Sequence, residues 1–292
     1  MANLMDLFDD LDRHTTPKTK DTIVRAQLNY PGGKTKSVHK IIPHLPYREK
    51  YIEPFGGSAA VLLARYPSTL EVYNDRYGGV VAFYRCMRNE TKMQRLCDLL
   101  DLTVHSREDF VWCKATWDKV DDDVERAARW YYMLSYSFGG LSRNFGRSTS
   151  GRGTLSGKIR NAIKKFPEIH NRFKKVQVEN QDWYDCIHDY DSEDAVFYID
   201  PPYIEADSGI YKNKMTIDDH RRLLTTIFDL KGFVAVSGYN NPLYENQDWD
   251  DRIEWDAHVS IQSLAYTEGN RKQQLEGLEK RGKSAEVLWI KE

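Results

Sequence analysis

The chain has 292 residues, 40% of them hydrophobic and 29% charged, which fits one α/β core with a smaller second unit. No apolar run approaches the ~18 to 20 residues of a membrane span, and acidic residues stand where a signal peptide would be basic, so we expect a cytoplasmic protein without a membrane segment. The four cysteines form no CxxC pair and have no histidine at zinc-ligand spacing, which argues against a metal site.

Charge is segregated along the chain, although the formal net charge is only -2. From Gly139 to Lys175, ten basic residues stand against one acidic residue, whereas residues 182–207 contain nine acidic residues and no Lys or Arg. A local positive field can bind a polyanion even when the total charge is close to neutral. The segment 139–175, called the basic segment below, therefore predicts a surface for a polyanionic partner.

The first predicted elements form one strand-helix-strand unit followed by helices. Residues 1–24 are polar and predict a tail. Residues 51–75 follow the order of strand, glycine-rich turn, helix and strand, which is a βαβ unit. Residues 80–136 carry apolar side chains at helical spacing, and residues 139–158 are rich in Gly, Ser and Arg, which predicts loops or a hairpin.

Strand-like runs return at residues 195–199, 233–237 and 286–290, with a helix at about residues 218–230. Strands and helices that alternate around a helical, basic insert predict an α/β fold with a mostly parallel central sheet and an inserted second domain. We expect residues 25–79 and 180–292 to form the α/β domain, and residues 80–179 to form the mainly helical insert.

The glycine-rich turn of the βαβ unit, EPFGGSA at residues 53–59, places small residues between a strand and a helix. Small residues there let the backbone approach a ligand closely. Asp75 ends the second strand eighteen residues after Gly57, where a carboxylate can accept hydrogen bonds from both ribose hydroxyls. This pair favours a nucleoside-containing cofactor over a turn that only packs helix on strand. The lack of a full GxGxxG makes a nicotinamide cofactor less expected.

The segment Asp200-Pro201-Pro202-Tyr203 follows a short apolar strand and is the most specific motif of the chain. Its two prolines end the strand and hold Asp200 and Tyr203 at the carboxyl edge of the sheet. An exocyclic adenine amine is a weak nucleophile because its lone pair is delocalised into the ring. A carboxylate and a backbone carbonyl that accept its two N–H bonds favour the nucleophilic form, while an aromatic face stacks on the base. The motif is suited to activate such an amine toward a methyl donor, and a plain proline-rich turn is the alternative.

Gly33-Lys34-Thr35 matches the last three positions of a phosphate-binding loop, but Leu28 stands where that loop requires its first glycine. A glycine turn that brings Lys34 close to a carboxylate, such as the methionine end of a cofactor, fits this segment as well. A surface turn with a solvated lysine is the third interpretation.

In their order along the chain, these motifs resemble those of the Dam-like, D12-class N6-adenine DNA methyltransferases. Residues 30–34 are similar to the family's aromatic-x-GGK element, residues 53–59 to its EPFxGxG motif, and residues 200–203 to its DPPY. The resemblance implies a Rossmann-like methyltransferase fold, S-adenosylmethionine as cofactor, and methylation of adenine N6 by base flipping. Ala59 stands where a second glycine is usual, and Tyr30 stands where tryptophan is common.

The resemblance also implies the residues of the site, and no metal among its ligands. Catalysis is assigned to Asp200, Pro201, Pro202 and Tyr203. Cofactor contact is assigned to Tyr30, Pro31, Gly32, Gly33, Lys34, Glu53, Phe55, Gly57, Ser58, Asp75, Asp200 and the acid-aromatic pair Asp182 and Trp183.

In this family, a target-recognition domain lies between the ribose-binding acid and DPPY, where the present chain carries its basic segment. Residues 142–147 are similar to the family's hairpin region that bears Arg and Asn. We therefore expect double-stranded DNA as the partner of a monomer or weak dimer. DNA contacts are expected from Arg143, Asn144, Arg147, Arg152, Lys158, Arg160, Lys164 and Lys165.

Two alternatives stay open. The DPPY motif predicts an amine as the methyl acceptor but does not distinguish DNA from RNA, so the same chemistry could act on RNA. The aromatic-x-GGK element and the large insert favour DNA. The second is a DNA-binding relative that has kept the fold and lost catalysis, against which the intact DPPY argues.

Overall fold

The computed structural model describes residues 24–28, 30, 32–147, 156–204, 215–256 and 285–292. Its strands are β1 (Lys50–Glu53), β2 (Leu70–Asn74), β3 (Gln177–Glu179), β4 (Ala195–Ile199), β5 (Phe233–Tyr239), β6 (Asp251–Asp256) and β7 (Ala285–Lys291). They form one sheet in the order β3-β2-β1-β4-β5-β7-β6. Strands β1 to β5 pair in parallel, and β7 runs antiparallel to both β5 and β6.

Helices fill the connections between the strands. They are α1 (Val38–Ile41), α2 (Ala60–Ala64), α3 (Gly78–Arg88), α4 (Glu90–Asp101), α5 (Arg107–Thr116), α6 (Asp123–Tyr136), α7 (Ser156–Ile163), α8 (Phe166–Phe173), α9 (Trp183–Tyr190), α10 (Ile217–Asp229) and α11 (Pro242–Glu245). Polar side chains cap several of their amino termini, because the first N–H groups of a helix have no partner within it. Thr216 and Asp219 cap α10 reciprocally. In the described part of the chain, none of these helices is long and apolar enough to cross a membrane.

Both faces of the sheet are buried, which explains why β4 is apolar along its whole length. Successive side chains alternate between the faces. Tyr51 and Tyr198 pack with α2, α3 and α6 on one face, whereas Ile52 and Phe197 pack with α9 and α10 on the other. Strands β1 to β5 are therefore the middle layer of three, whereas β6 at the edge of the sheet is mostly exposed.

The helices of the insert share a core with one face of the sheet. Tyr73 of β2 packs on Tyr84 of α3 with ring centroids 4.7 Å apart, and Tyr84 stacks on Phe173 of α8 at 4.3 Å and 15°. Trp130 of α6 is fully buried in the same cluster. Aromatic packing therefore continues from the sheet into the insert, and the predicted division into two domains stays a prediction.

The predicted α/β architecture, with a mostly parallel central sheet, is confirmed. Strands β4, β5 and β7 and helix α10 lie at the predicted positions. The sequence patterns missed β3, which has three residues, and β6, in which only Trp255 is buried. Helix α7 begins at Ser156, inside the stretch predicted as loops or a hairpin. The predicted tail, apart from Val24, lies outside the described residues.

One member of the basic segment does not face solvent. Arg172 of α8 is buried, and its guanidinium binds both carboxylate oxygens of Glu71 in β2. Its Nη2 also donates to the carbonyl of Leu62 at 2.6 Å. The ion pair fastens α8 to the sheet, so Arg172 contributes to the fold and not to a charged surface.

We expect Arg172→Met to lower the free energy of unfolding by about 3 kcal/mol, because it removes both hydrogen bonds to the buried Glu71 carboxylate and leaves only the more distant Arg65, at 3.6 Å, as its cationic partner among the described residues. Arg160→Met is the matched control: Arg160 and its neighbour Asp101 are both 65% exposed and 3.5 Å apart, so the change should stay within ~0.5 kcal/mol. Denaturant unfolding measures both values. Equal effects of the two substitutions would contradict this role of Arg172.

Candidate active site

A cavity of about 460 Å³ lies at the carboxyl ends of β1, β2 and β4. Ligands of open α/β sheets bind at this edge, where connections from neighbouring strands diverge, and the volume suits a small-molecule cofactor. The predicted cofactor residues that line it are Tyr30, Gly32, Gly33, Lys34, Glu53, Phe55, Gly57, Ser58, Asp75, Asp182, Trp183 and Asp200. Pro31 lies outside the described residues. The structure thus brings together residues from five separate segments of the chain.

The glycine-rich turn between β1 and α2 is shaped by two constraints. A Cβ on Gly56 would lie 2.2 Å from the Tyr73 ring, so only glycine fits there. Gly57 and Ala59 adopt left-handed backbone conformations with φ of 47° and 51°. Glycine adopts this region at no steric cost, whereas another residue pays roughly 1 kcal/mol. Ala59 therefore occupies a position at which glycine would be less strained.

The Asp75 carboxylate holds this turn in place. Its Oδ2 accepts from the backbone N–H of Gly57 at 2.8 Å, and its Oδ1 accepts from the backbone N–H of Tyr77 at 2.7 Å. Burial raises the pKa of Asp75 to about 6, although the two N–H donors oppose that shift. Each carboxylate oxygen has a second lone pair, so Asp75 can support the turn and still accept hydrogen bonds from a ligand.

Aromatic and acidic side chains form another wall of the cavity. Phe55 and Trp183 stack with ring centroids 6.1 Å apart at 27°. Asp182 caps α9 by accepting from the N–H of Tyr184 and also pairs with Arg76 at 2.6 Å. Burial raises the pKa of Glu53 to about 8, so this carboxyl is largely protonated at neutral pH.

The centre of the site is an ion pair between Lys34 and Asp200. Lys34 Nζ lies 2.6 Å from both Oδ1 and Oδ2 of Asp200, and 3.2 Å from the carbonyl oxygen of Gly32. Burial lowers the pKa of Lys34, but the carboxylates of Asp200 and Glu286 outweigh it and the pKa is raised. Lys34 is therefore a cation. Its predicted contact with the methionine end of a cofactor stays a prediction.

Asp200 follows β4 directly, and 18% of its side chain is exposed toward the cavity. Its Oδ1 accepts from Ser237 Oγ at 2.9 Å as well as from Lys34. A carboxylate oxygen offers about two lone pairs, so these two donors fill Oδ1. Among the described residues, Lys34 is the donor to Oδ2, which leaves one acceptor position for a ligand.

Sequence reasoning missed two residues of this centre, Ser237 and Glu286. Glu286 accepts from Tyr203 Oη at 3.2 Å and lies 3.5 Å from Lys34 Nζ. Both residues interrupt buried strands, β5 and β7, that are otherwise mostly apolar. A polar residue in such a strand is the signal that could have identified them, since a buried carboxylate is costly unless it is paired.

The segment predicted to read DNA forms a hairpin, here named the 136–147 hairpin. Phe138 N–H donates to the carbonyl of Asn144 at 2.8 Å, and Gly146 N–H donates to that of Tyr136 at 2.7 Å. Asn144 and Arg147 are exposed, and Arg143 is half-buried. The hairpin also reaches the main cavity, because Gly140, Leu141 and Ser142 line it.

Two further side chains that sequence reasoning did not single out brace this hairpin. Lys114 Nζ donates to the carbonyl of Arg143 at 2.7 Å. His105 Nε2 bonds the carbonyl of Gly146 at 2.9 Å, and its ring stacks on Phe145 with centroids 4.5 Å apart. Lys114 lies in α5 and His105 in the loop before it, so this part of the insert supports the hairpin.

The other predicted DNA contacts differ in their surroundings. Arg160 and Lys164 are exposed on or beside α7, and Lys165 is exposed and paired with Glu168 at 2.9 Å. Lys158 instead donates from Nζ to the carbonyl of Ser135 at 2.9 Å, and burial lowers its pKa. Arg152 lies outside the described residues.

The model of the D12 class N6 adenine-specific DNA methyltransferase family matches residues 30–259, most of the chain. This chain belongs to that family. The match covers the turn at Gly57, Asp75, the insert and the 200–203 motif, so the family and enzyme class predicted from the motifs are confirmed.

Curated relatives are similar to the chain over much of its length. The type II methyltransferase M1.LlaDCHI of Lactococcus lactis subsp. cremoris is 29% identical over 262 residues, covering 76% of this chain and 84% of the relative. The DNA adenine methylase of Escherichia coli strain K12 is 25% identical over 268 residues, covering 85% and 92%. The type II methyltransferase M.MjaIII of Methanocaldococcus jannaschii is 27% identical over 208 residues, covering 62% and 69%.

Proposed function

We propose that this D12-family enzyme transfers a methyl group from S-adenosylmethionine to the N6 amine of an adenine that is flipped out of duplex DNA. The observation that carries the proposal is the Asp200 carboxylate, which lines the cavity and has one acceptor position left on Oδ2. We further propose that the protein acts in the cytoplasm, as a monomer or weak dimer and without a metal. No group of side chains able to hold a metal ion is found among the described residues.

The chemistry of the cavity fits S-adenosylmethionine. Gly57 adopts a left-handed backbone conformation in the turn that lines the cavity, and Asp75 is an acceptor suited to ribose hydroxyls. Phe55 and Trp183 offer apolar rings to the adenine of the cofactor. When bound, the sulfonium supplies an electrophilic methyl carbon, so in-line positioning is the main requirement left to the protein.

Asp200 and the backbone after it would act on the target amine. One N–H bond of the amine would donate to Asp200 Oδ2, and the second would donate to the carbonyl of Pro201. These bonds favour the form in which the nitrogen lone pair is available to the methyl carbon. The Tyr203 ring would stack on the flipped base. Lys34 and Ser237 hold the carboxylate in one orientation.

DNA binding is proposed for the 136–147 hairpin together with the exposed basic residues near α7. Arg143, Asn144 and Arg147 have side chains that can hydrogen-bond base edges. Arg160, Lys164 and Lys165 are suited to phosphate contact, whereas Lys158 is left out of this surface because its ammonium donates to Ser135. A net positive surface is needed because the rest of the chain is acidic and would repel DNA.

The two alternatives are separated by one assay with purified protein. Methylation of an RNA strand at a higher rate than of duplex DNA of the same sequence would favour the RNA enzyme. Binding of DNA without incorporation of methyl groups into either substrate would favour the silent relative.

The affinity for S-adenosylmethionine should decrease as the pH falls through about 6, since the buried Asp75 carboxylate takes up a proton there and then loses acceptor positions. Asp75→Asn should weaken cofactor binding by about 1 to 3 kcal/mol. The affinity of this variant should also change much less between pH 5 and pH 8 than that of the parent. Calorimetric titration across this range is the measurement. The exposed control Asp98→Asn should follow the parent protein, and an unchanged pH profile in Asp75→Asn would contradict the assignment.

Asp200→Asn should reduce the single-turnover rate of adenine methylation by about 10²-fold or more, the usual effect of losing a positioned polar group at the reacting centre. Asparagine keeps the size of the side chain, and duplex binding should be retained. Radiolabelled methyl incorporation gives the rate, and fluorescence anisotropy gives the affinity. A near-parental rate would show that the carboxylate does not activate the amine.

Two classes of DNA-binding variant are expected. Lys164→Ala should weaken binding to every sequence and reduce the salt dependence by roughly one unit of slope per lost phosphate contact. Arg147→Ala and Asn144→Ala should relax site choice, at a cost of about 1 to 3 kcal/mol at particular base pairs.

Anisotropy across a salt series, with duplexes of varied sequence, measures both effects. Lys231→Ala is the control, because Lys231 is exposed between α10 and β5 and away from the insert. If Lys164→Ala, Arg147→Ala and Asn144→Ala all bound DNA like the parent, this surface would not be the DNA-binding one.

A further inference from the structure

Glu286 is a buried carboxylate on β7 with four partners from three other segments of the chain. Its Oε2 accepts from Ser37 Oγ and from Trp255 Nε1, each at 2.9 Å. Its Oε1 accepts from Tyr203 Oη at 3.2 Å and lies 3.5 Å from Lys34 Nζ. One side of the carboxylate is therefore anchored in the fold, and the other side faces the two residues that flank Asp200.

Burying the Glu286 carboxylate at this position would be costly if its role were only structural. Glu286 is 7% exposed, and the next four residues of β7, from Val287 to Ile290, are buried and apolar. Replacing a buried ionic group by a well-packed apolar side chain is often neutral or stabilising. A carboxylate held there by four partners is explained more directly by what it does to Tyr203 and Lys34.

The contact with Tyr203 determines how an aromatic face is presented at the site. The Tyr203 hydroxyl donates to Glu286, and the ring makes a T-shaped contact with Tyr239, with centroids 4.7 Å apart at 72°. Lys34 Nζ also lies over the Tyr203 ring, 5.0 Å from its centroid. A ring restrained by these three contacts cannot turn freely. Its face is therefore oriented before a base arrives, which lowers the entropy lost in the reactive arrangement.

The contact with Lys34 affects the balance of charges around Asp200. Lys34 is shared between two carboxylates, 2.6 Å from Asp200 and 3.5 Å from Glu286. A substrate amine that donates to the free acceptor position of Asp200 Oδ2 shares that carboxylate with Lys34. Glu286 supplies a second negative charge that helps to keep Lys34 in place, and the three groups together keep a net negative charge beside the cavity.

We propose that Glu286 is a positioning residue for methyl transfer, which orients Tyr203 and holds Lys34 against Asp200 without contacting the reacting atoms itself. This inference rests on the proposed function. It goes beyond the motifs of the sequence, because Glu286 lies 83 positions from Tyr203 along the chain and acts through it.

The test compares single-turnover methylation of duplex DNA by the full-length parent, Glu286→Gln, Tyr203→Phe and the double variant. Glutamine keeps the shape of the side chain but removes its charge, and phenylalanine removes only the hydroxyl. Glu286→Gln should lower the rate constant by about 10- to 100-fold, with the KM for DNA changed less than about threefold. Because the two residues act through one hydrogen bond, the combined loss should be clearly smaller than the product of the single losses.

Ser37→Ala is the matched control, since it removes a donor to the opposite oxygen, Oε2, and leaves Tyr203 and Lys34 untouched. Its thermal stability should fall slightly, and its rate constant should stay within about twofold of the parent. A Glu286→Gln protein with the parental rate, or strictly multiplicative losses in the double variant, would overturn the positioning role. If Glu286→Gln does not fold, Tyr203→Phe alone decides: a parental rate overturns the proposal and a loss of several-fold supports it.

The product formed by the parent protein distinguishes a failure of the proposed function from a failure of the role assigned to Glu286. Mass spectrometry of the DNA product should detect N6-methyladenine. Its absence with the parent would refute the proposed function itself, whereas its presence together with an unaffected Glu286→Gln rate would refute only the role of Glu286.

Discussion

The ion pair between Lys34 and Asp200 joins the loop before α1 to the end of β4, across 166 positions of the chain. Both side chains are largely buried, at 7% and 18% exposure. Separating them would leave a charge in a poorly solvated place, at a cost of several kcal/mol. The loop that carries Gly32, Gly33 and Lys34 is thereby fixed over the carboxyl ends of the strands, and it closes one side of the cavity.

The same pair sets the electrostatics of the site. Burial raises the pKa of Asp200, and Lys34 together with Ser237 acts against that shift. The lysine thus helps to keep an acceptor ionised in a place that would otherwise favour its protonated form. It cannot neutralise Glu286 as well, so the region retains negative charge. That charge is complementary to a cationic methyl donor, whose positive charge disappears when the methyl group leaves.

Much of the fold and of the cavity could be predicted from the sequence, because the relevant signals are local. An apolar run that ends in Asp200-Pro201-Pro202-Tyr203, or a turn rich in glycine before α2, indicates where a parallel strand ends. Strands that end at one edge of a sheet bring their loops together, whatever the distance along the chain. For this reason Gly57, Asp75 and Asp200 could be assigned to one site before their coordinates were known.

The features that could not be predicted depend on contacts between distant segments of the chain, which local sequence patterns do not encode. Glu286 and Arg172 carry ordinary charged side chains, and only the packing shows that one faces Lys34 and the other is enclosed with Glu71. Lys158 belongs to a basic stretch, yet its ammonium turns inward to the carbonyl of Ser135. A count of charges along the sequence therefore overstates the positive surface of the basic segment.

The insert and the cavity are physically continuous, which bears on how recognition and chemistry are linked. Trp130 of α6 lines the cavity and packs against Tyr30 with ring centroids 6.3 Å apart. At the end of the same helix, the 136–147 hairpin contributes Leu141 and Ser142 to the cavity wall while its outer residues face solvent. A ligand in the cavity would therefore contact the base of the hairpin whose exposed side is proposed to read DNA. Because closely packed elements transmit small shifts instead of absorbing them, the occupancy of the cavity and the orientation of the hairpin are expected to depend on each other.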